Sequence, residues 1–251
     1  MTRYPLTMLK LFASVVAVLA FPAAALAGVS QAPPKPVVGA GTIDVASLAV
    51  RNAPSAKAPI IARLSDFRPQ DYRPRYVLAV GSKLGKATKN AKGKVVRPAK
   101  VAWYKISVPG RPNGRTGWVP ATQISIRSMP WQVVVYRDSR VVQLWKDEKL
   151  MHTGKVAVGA PGMETPTGLF YVTVRFKPVQ VPFLGSFAFE TSAYSKLSEW
   201  PGGGVVGLHG TTAPQLLGLA VSHGCVRMSN ETANFLRDRI PLGTPIRVLA
   251  A

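Results

Sequence analysis

Cys225 is the only cysteine in the 251-residue chain. A single cysteine cannot form an internal disulfide, so it is an inert buried residue, a bridge to another molecule or a reactive thiol. A free thiol has a pKa of about 8.5 and is mostly protonated at neutral pH. A histidine within hydrogen-bond reach can take that proton or stabilise the thiolate as an ion pair, which makes the sulfur a nucleophile.

Two of the three histidines, His209 and His223, lie within a short stretch of the chain before Cys225. Each is followed by a glycine, Gly210 or Gly224, which gives the backbone freedom to bring the segments together. Gly224 can also leave backbone amides pointing at a developing oxyanion. This grouping favours a thiol nucleophile over a buried, inert cysteine.

Other chemistries fit this region less well. A zinc site usually needs three or four ligands at metal spacing, which one cysteine and scattered histidines do not supply. Residues 200–230 contain no Asp or Glu, which excludes paired-carboxylate glycosidase chemistry from this segment. We therefore predict no metal site, and no cofactor, because thiol acyl transfer needs none.

Two segments carry a specific resemblance. The letters HGT at 209–211 and SHGCVR at 222–227 resemble the active-site signature of the L,D-transpeptidase (YkuD-like) family. That signature is a histidine, a spacer, then Ser/Thr-His-Gly-Cys, an apolar residue and Arg or Asn. The stretch VAVGAPGMETPTGLFYV at 156–172 is similar to the family's V-G-x-x-x-x-x-T-P-T-G-x-F strand pair. The resemblance spans about residues 131–249.

The resemblance implies a mostly β catalytic domain and a reaction on peptidoglycan stem peptides. Cys225 would attack the carbonyl of the L-centre before the terminal D-residue of a stem tetrapeptide, with His209 as the base. Backbone amides near His223, Gly224 and Cys225 would hold the oxyanion. The remaining motif residues are expected to bind substrate or shape its loop; they are Ser222, Arg227, Gly210 and Thr211.

The sequence does not decide which molecule accepts the acyl group from Cys225. An amine of a second stem would make the protein a cross-linking transpeptidase, whereas water would make it an L,D-carboxypeptidase. A third alternative is a wall-binding module with an inactive catalytic domain. We expect residues 175–200 to line the substrate pocket.

The N-terminus predicts export. Arg3 and Lys10 precede an apolar run from residue 11 to 21, and Ala-Leu-Ala at 25–27 matches a signal-peptidase site. Residues 1–27 are therefore predicted to be a signal peptide, and the mature protein to lie in the cell wall or on the extracellular or periplasmic side of a bacterial envelope. An uncleaved N-terminal anchor is the alternative, and it is the one case in which we expect membrane association.

The net charge of +21 is unevenly distributed, because residues 28–127 hold 18 Lys and Arg against three acids. Such a field attracts polyanions, which for an exported protein are wall polymers and lipid headgroups. No helix-turn-helix or zinc-finger pattern is present, so nucleic acid is not a predicted partner. Seven basic residues fall within 83–100. This segment is either a solvated hairpin loop or a site for anionic wall polymers.

The first half of the chain predicts a small β domain. Residues 28–41 are rich in Pro, Gly and Ala and are predicted to be a linker. Residues 42–127 contain short β-prone runs separated by turn formers. They resemble bacterial SH3-like wall-associated domains through Leu48, Val50, Arg51, Pro54 and Ser55, and then Trp103, Tyr104, Lys105, Gly114, Gly117, Trp118 and Val119. Trp103 and Trp118 are expected in the core of the barrel.

Residues 128–251 predict the catalytic domain. WQVVVYRDSRVVQLW at 131–145 is typical of a β-hairpin. One helix is expected from Asn230 to Arg239, capped by Ser229, with Ala233, Leu236 and Ile240 facing the core. The predicted fold class is mainly β: a small SH3-like β-barrel followed by a β-rich L,D-transpeptidase catalytic domain with one late helix.

Overall fold

The computed structural model describes residues 29–199 and 203–251. The predicted signal peptide lies outside this range. The fold is mainly β as predicted, with eighteen strands and one α-helix among the described residues. None of the helical segments in these two ranges has the length and hydropathy needed to cross a bilayer.

The first sheet contains seven strands in the order β3-β2-β8-β7-β4-β1-β9, all antiparallel. Alternate residues of these strands point inward, because side chains in a strand alternate between two faces. Leu48, Val50, Ile106 and Val119 meet in this way in one buried cluster. The strands are Gly39–Ile43 (β1), Ser47–Arg51 (β2), Ile60–Ser65 (β3), Tyr76–Leu84 (β4), Val101–Ser107 (β7), Thr116–Pro120 (β8) and Ile124–Arg127 (β9).

The prediction that Trp103 and Trp118 lie in this core is wrong. Both side chains are only half-buried, because the inward positions of β7 and β8 are taken by their neighbours Ile106 and Val119. The two tryptophans sit on the outer surface of the sheet. Membership of the SH3-like class stays a prediction.

The basic insert is an exposed hairpin. Strands Thr88–Lys89 (β5) and Val95–Arg97 (β6) pair with each other and with no other strand of the described chain. Their side chains are exposed along their whole length. The lysines of 83–100 therefore stand in solvent, which either interpretation of this segment allows.

The second sheet carries the motif residues. Its strands are Trp131–Tyr136 (β10), Val141–Lys146 (β11), Lys149–Gly159 (β12), Gly168–Phe176 (β13), Ala188–Tyr194 (β14), Val205–His209 (β15), Ala220–Ser222 (β16), Val226–Met228 (β17) and Pro245–Leu249 (β18). The order is β11-β10-β18-β13-β14-β15-β17-β12-β16, and β12 also pairs with β11. Eight strands thus close into a barrel around an apolar core. The predicted hairpin is β10 and β11.

The one α-helix of the described chain, α1, runs from Asn230 to Arg237. Ser229 caps it as predicted, with its Oγ accepting a hydrogen bond from the Thr232 amide at 3.1 Å. Ala233, Leu236 and Ile240 are buried, also as predicted. The helix ends two residues before the expected Arg239, because the amides of residues 239 and 240 both donate to the Leu236 carbonyl and turn the chain inward.

The segment predicted to be a linker is anchored at its two ends, whereas most of the residues between them are exposed, and its role as a linker stays a prediction. Val29 is buried against β10 and β11, and the Ser30 carbonyl accepts hydrogen bonds from Tyr136 Oη and Gln143 Nε2. Residues 39–41 form the start of β1. Gly39 and Gly41 look like linker residues, but a side chain at either position would overlap the backbone of β9.

Loops of the first sheet contact the second beside the catalytic motif. Arg68 forms a salt bridge with Glu190 at 2.8 Å. Asn113 exchanges two hydrogen bonds with the Tyr194 backbone, at 2.7 and 3.0 Å. Arg111 donates to the carbonyl of Ser195 at 2.9 Å. The first sheet thus supports β14 and the loop that follows it.

Candidate active site

The pairing of β15 with β17 brings His209 and Cys225 to one face of the second sheet. The two strands are parallel, with Leu208 opposite Val226 and His209 opposite Arg227. Leu208 and Val226 are fully buried in the core. Because side chains alternate, Gly207, His209 and Arg227 lie on the other face together with Cys225.

That face forms the floor of a cavity of about 290 Å³. Its roof comes from the segment between β13 and β14, and therefore from within the residues 175–200 that were expected to line it. The roof is apolar and includes Val181, Phe183 and Leu184. The floor and walls include Glu190, Gly207, His209, Ser222, His223, Cys225 and Arg227.

The Cys225 thiol is held in a setting that favours its protonated form. Its Sγ accepts a hydrogen bond from the Gly207 amide at 3.3 Å. Burial raises the pKa of the thiol, while the Gly207 amide and the Arg227 charge act in the opposite direction. The resting sulfur is therefore a thiol rather than a thiolate.

His209 is neutral and is oriented through its backbone neighbour. Its Nδ1 lies 2.6 Å from the Gly210 carbonyl. A carbonyl can only accept, so the proton is assigned to Nδ1, and Nε2 is left as a proton acceptor. The pKa of His209 is lowered to about 4, mainly by burial and also by the Arg227 charge, while the hydrogen bond with the Gly210 carbonyl acts in the opposite direction. The Cys225 thiol and the His209 imidazole both lie next to Gly207. A Cβ built at Gly207 would be 3.8 Å from Cys225 Sγ and 3.9 Å from His209 Cδ2.

These protonation states favour one of the two modes of activation that the sequence left open. A neutral imidazole beside a protonated thiol is arranged for general-base catalysis, in which proton transfer accompanies attack. A resting thiolate–imidazolium pair would require the opposite pKa shifts. The site can therefore activate a thiol for acyl transfer when a substrate arrives.

The turn before Cys225 is held by Ser222. The Ser222 hydroxyl donates to the Cys225 carbonyl at 2.5 Å and accepts from the Gly224 amide at 3.1 Å. Gly224 has φ +114°, and a Cβ at this position would lie 3.0 Å from the Ser195 side chain. The Gly224 amide is thus engaged within the turn rather than aimed at an oxyanion. Ser222, at 1% exposure, shapes the loop, which is one of the two roles expected of it.

Gly210 and Thr211 do not line the cavity. They help to position His209, which is the loop-shaping role expected of them, and their role in substrate binding stays a prediction. The Gly210 carbonyl orients the imidazole, and Asn230 Oδ1 accepts from the Thr211 amide at 3.2 Å and the Ser186 amide at 2.9 Å. Asn230 was expected only as a helix residue. Its position directly after the SHGCVRMS stretch is the only signal in the sequence for its role.

Glu190 and Gly207 are the other site residues that the sequence did not single out, although Glu190 falls within residues 175–200, which were expected to line the pocket. They are opposite each other in the β14–β15 pair, so Glu190 shares the catalytic face. Glu190 is the single carboxylate among the described residues that line the cavity. Its proximity depends on strand pairing, for which the sequence carries no local signal.

His223 and Arg227 also line the cavity, and the roles expected of them stay predictions. The third histidine, His152, lies elsewhere and stacks on Phe235 of α1 at 4.6 Å between ring centroids. Within residues 29–199 and 203–251, no three His, Cys, Asp or Glu side chains are grouped so that they could hold a metal ion. The prediction of a cofactor-free reaction stays a prediction.

Fold and site define a class of protein: a β-rich domain that presents one cysteine and two histidines in a cavity. The family model described as the YkuD L,D-transpeptidase catalytic domain matches residues 130–248. The putative L,D-transpeptidase YkuD of Bacillus subtilis is 29% identical over 147 residues, covering 59% of this chain and 76% of the relative. Its counterpart in Bacillus licheniformis is 30% identical over 121 residues, covering 48% and 67%. The chain belongs to the YkuD family of L,D-transpeptidase catalytic domains.

Solved structures are similar at lower identity. An L,D-transpeptidase from Mycobacterium smegmatis is 16% identical with a TM-score of 0.42, covering 88% of this chain and 98% of that one. Bdellovibrio bacteriovorus Bd1075 is 24% identical with a TM-score of 0.40, covering 49% and 48%. The chain thus matches about half the length of the Bdellovibrio protein.

Proposed function

We propose that this protein is an exported L,D-transpeptidase that cross-links peptidoglycan stem peptides through an acyl-enzyme on Cys225. The observation that carries the proposal is the placement of a neutral His209 and a protonated Cys225 on one face of the sheet, lining one cavity. Membership of the YkuD family supports the substrate class.

Acylation follows from this arrangement. His209 Nε2 takes the Cys225 proton as Sγ attacks the carbonyl carbon of the L-centre. The backbone amide of Cys225 would donate a hydrogen bond to the resulting oxyanion, since the Gly224 amide is engaged by Ser222. His209 then gives the proton to the nitrogen of the terminal D-residue, which leaves as a free amine, and a thioester remains on Cys225.

Transfer completes the cycle. An acceptor amine attacks the thioester, His209 takes a proton from the attacking nitrogen, and the released thiolate is reprotonated. The apolar roof at Val181, Phe183 and Leu184 restricts water near the thioester, which favours the amine acceptor over hydrolysis. If water attacks the thioester instead of an amine, the protein acts as an L,D-carboxypeptidase.

Export and wall association complete the proposal. The predicted signal peptide at residues 1–27 would direct the chain across the membrane. The exposed basic hairpin within 83–100 would retain the mature protein on anionic wall polymers. The alternative of a wall-binding module with an inactive catalytic domain is disfavoured by the intact His209–Cys225 arrangement.

Mass spectrometry of the mature protein with purified disaccharide-tetrapeptide tests the reaction. We expect an acyl-enzyme and a cross-linked dimer that has lost one terminal D-residue. Cys225→Ala should abolish both while retaining the wild-type unfolding midpoint, because the change removes one half-buried sulfur. Tripeptide without dimer would identify a carboxypeptidase, and turnover by folded Cys225→Ala would exclude Cys225 as the nucleophile.

A further inference from the structure

Strand β15, which carries the proposed base, pairs irregularly with β14 just before it reaches the site. The two strands pair as far back as Glu190, opposite Gly207, and the pairing resumes only at Tyr194. Residues 191–193 of β14 therefore lie opposite Val206 alone and form a bulge. A bulge interrupts the ladder of hydrogen bonds, and bulges are frequent next to active sites, where they redirect the chain. Contacts from outside the strand pair therefore help to decide where β15 lies.

Two loops of the first sheet fasten β14 on either side of this bulge. Before the bulge, Arg68 of the β3–β4 loop forms its salt bridge with Glu190 at 2.8 Å. After the bulge, Asn113 of the β7–β8 loop (residues 108–115) accepts from the Tyr194 amide at 3.0 Å and donates to the Tyr194 carbonyl at 2.7 Å. One side-chain amide thus satisfies both backbone groups of Tyr194, in the way that a neighbouring strand would.

Arg111 of the same loop fastens the chain where it passes from β14 into β15. Its guanidinium donates to the carbonyls of Ser195 at 2.9 Å and Gly203 at 3.0 Å, which lie on the two sides of the connecting loop. It also stacks on the Tyr194 ring, 4.9 Å from the ring centroid. A Cβ at Gly204, the residue before β15, would lie 2.6 Å from Arg111 Nη2. The arginine therefore holds the end of β14 and the approach to β15 together.

The fastened segments lead directly to the reacting groups. Within β15, the Gly207 amide donates to Cys225 Sγ at 3.3 Å, and His209 ends the strand. At the end of β14, Ser195 lies against the turn that precedes Cys225, because a Cβ at Gly224 would be 3.0 Å from the Ser195 Cβ. A shift of this end of the strand pair would therefore move the Gly207 amide and the imidazole relative to the sulfur.

We propose that Arg111 and Asn113 of the β7–β8 loop are positioning residues for the thiol chemistry at Cys225. They act through the end of β14 and the start of β15, and they fix where the Gly207 amide and the His209 imidazole lie relative to the sulfur. Neither residue lines the catalytic cavity, so neither touches a substrate bound there. This inference rests on the proposed function and makes the first sheet a part of the catalytic unit.

Single-turnover acylation by soluble tetrapeptide tests this positioning. Asn113→Ala removes both bonds to Tyr194, and Arg111→Gln removes the charge and the planar fork that reaches two carbonyls. We expect the acylation rate at saturating substrate to fall about tenfold and the half-saturation concentration to stay within about twofold, because misplaced reacting groups lose rate rather than affinity. Arg111→Lys, which keeps the charge and can reach one carbonyl, should recover part of the rate.

Arg115→Gln is the matched control, because it removes the same charge from the same loop. Among the described residues, the Arg115 side chain donates only to the Pro109 carbonyl within that loop, so this variant should acylate like the wild type. A merely structural role of Arg111 and Asn113 predicts lower unfolding midpoints but an unchanged rate per folded site, measured well below those midpoints. That result, or an equal loss of rate in Arg115→Gln, would overturn the proposal.

Alkylation of Cys225 separates this proposal from the proposed function. Iodoacetamide needs no peptidoglycan substrate, and mass spectrometry reports on this thiol alone because the chain has one cysteine. Burial raises the pKa of the thiol and the Gly207 amide lowers it, so Asn113→Ala and Arg111→Gln should shift the pH profile of alkylation to higher pH, whereas Arg115→Gln should not. That shift would support the positioning even if wild-type protein formed no acyl-enzyme, which would refute only the reaction. Profiles that coincide with the wild type or move to lower pH would overturn the positioning and leave the reaction unaffected.

Discussion

Reactivity at the residue scale depends on how burial sets two protonation states. Burial raises the pKa of the Cys225 thiol and lowers that of His209 to about 4. Desolvation disfavours whichever form is charged, so one apolar environment produces a neutral acid and a neutral base. Arg227 adds a positive charge that opposes an imidazolium and favours the thiolate as it forms. The pair is thereby prepared to transfer a proton at the moment of attack.

The pH dependence of acylation follows from His209. Since the base must be unprotonated, kcat/KM for acyl-enzyme formation should stay high on acidification through pH 6.5 and fall only near pH 4, where His209 becomes protonated. Stopped-flow measurements with tetrapeptide across this range check the prediction. Arg227→Gln removes a charge that holds the His209 pKa down, so its acid limb should move to higher pH. A wild-type limb at pH 6.5 would contradict a buried, neutral His209.

At the scale of elements, the site is assembled by short contacts between strand ends. β15 ends at His209, β17 begins directly after Cys225, and the turn between β16 and β17 is closed by Ser222. The first residue of α1, Asn230, then fastens both the roof segment and the segment after His209. The histidine is held in place by backbone bonds on either side rather than by a third catalytic side chain.

Asn230→Ala tests this role. It removes the oxygen that accepts from the Ser186 and Thr211 amides, and we expect a loss of about 1–2 kcal/mol in the free energy of unfolding and a slower acylation step. Denaturant unfolding and single-turnover acylation measure the two effects. Asn230→Asp keeps the accepting oxygen and places a negative charge at a helix N-terminus, where it is favourable. It should behave like the wild type, and an equal defect in both variants would mean that the oxygen is not the relevant atom.

At the scale of the whole molecule, the basic residues of the hairpin and the residues of the candidate active site belong to different sheets. The basic hairpin β5–β6 projects from the first sheet, whereas the catalytic cavity belongs to the second. The two sheets meet through Arg68, Arg111 and Asn113, which contact β14 and the loop after it. The first sheet therefore serves both as a carrier of positive charge and as a wall beside the catalytic face.

Removing the positive charges of the β5–β6 hairpin should weaken binding to the cell wall without changing catalysis. Changing Lys86, Lys89, Lys92 and Lys94 to Gln removes four exposed charges, so binding to purified wall sacculi should weaken and lose much of its salt dependence. Acylation by soluble tetrapeptide should not change. Replacing the same four lysines with Arg keeps the charge and is the control. Undiminished sacculus binding by the Gln variant would assign retention to another surface.

The parts of this protein that could be predicted from sequence are those that depend on local interactions. The β10–β11 hairpin, the Ser229 cap and the inward positions of α1 each follow from neighbours along the chain. The HGT and SHGCVR segments likewise point to Cys225 and His209 as the proposed nucleophile and base, because the chemistry of a thiol nucleophile needs those residue types. Composition was misleading where small residues are buried. Gly39 and Gly41 suggested a linker, yet both lie in strand β1, where a larger side chain would overlap the backbone of β9.

Tertiary structure decided what depends on pairing and burial between distant segments. The parallel register of β15 and β17 placed His209 and Cys225 on one face, and the pairing of β14 with β15 added Glu190 to it. Arg68, 122 residues away in the chain, reaches that carboxylate. The neutral state of His209 and the engaged amide of Gly224 likewise follow from surroundings that no short stretch encodes. Local conformational preferences depend on neighbouring residues in the sequence. Strand pairing and desolvation depend on contacts between distant segments, which form only when the whole chain folds.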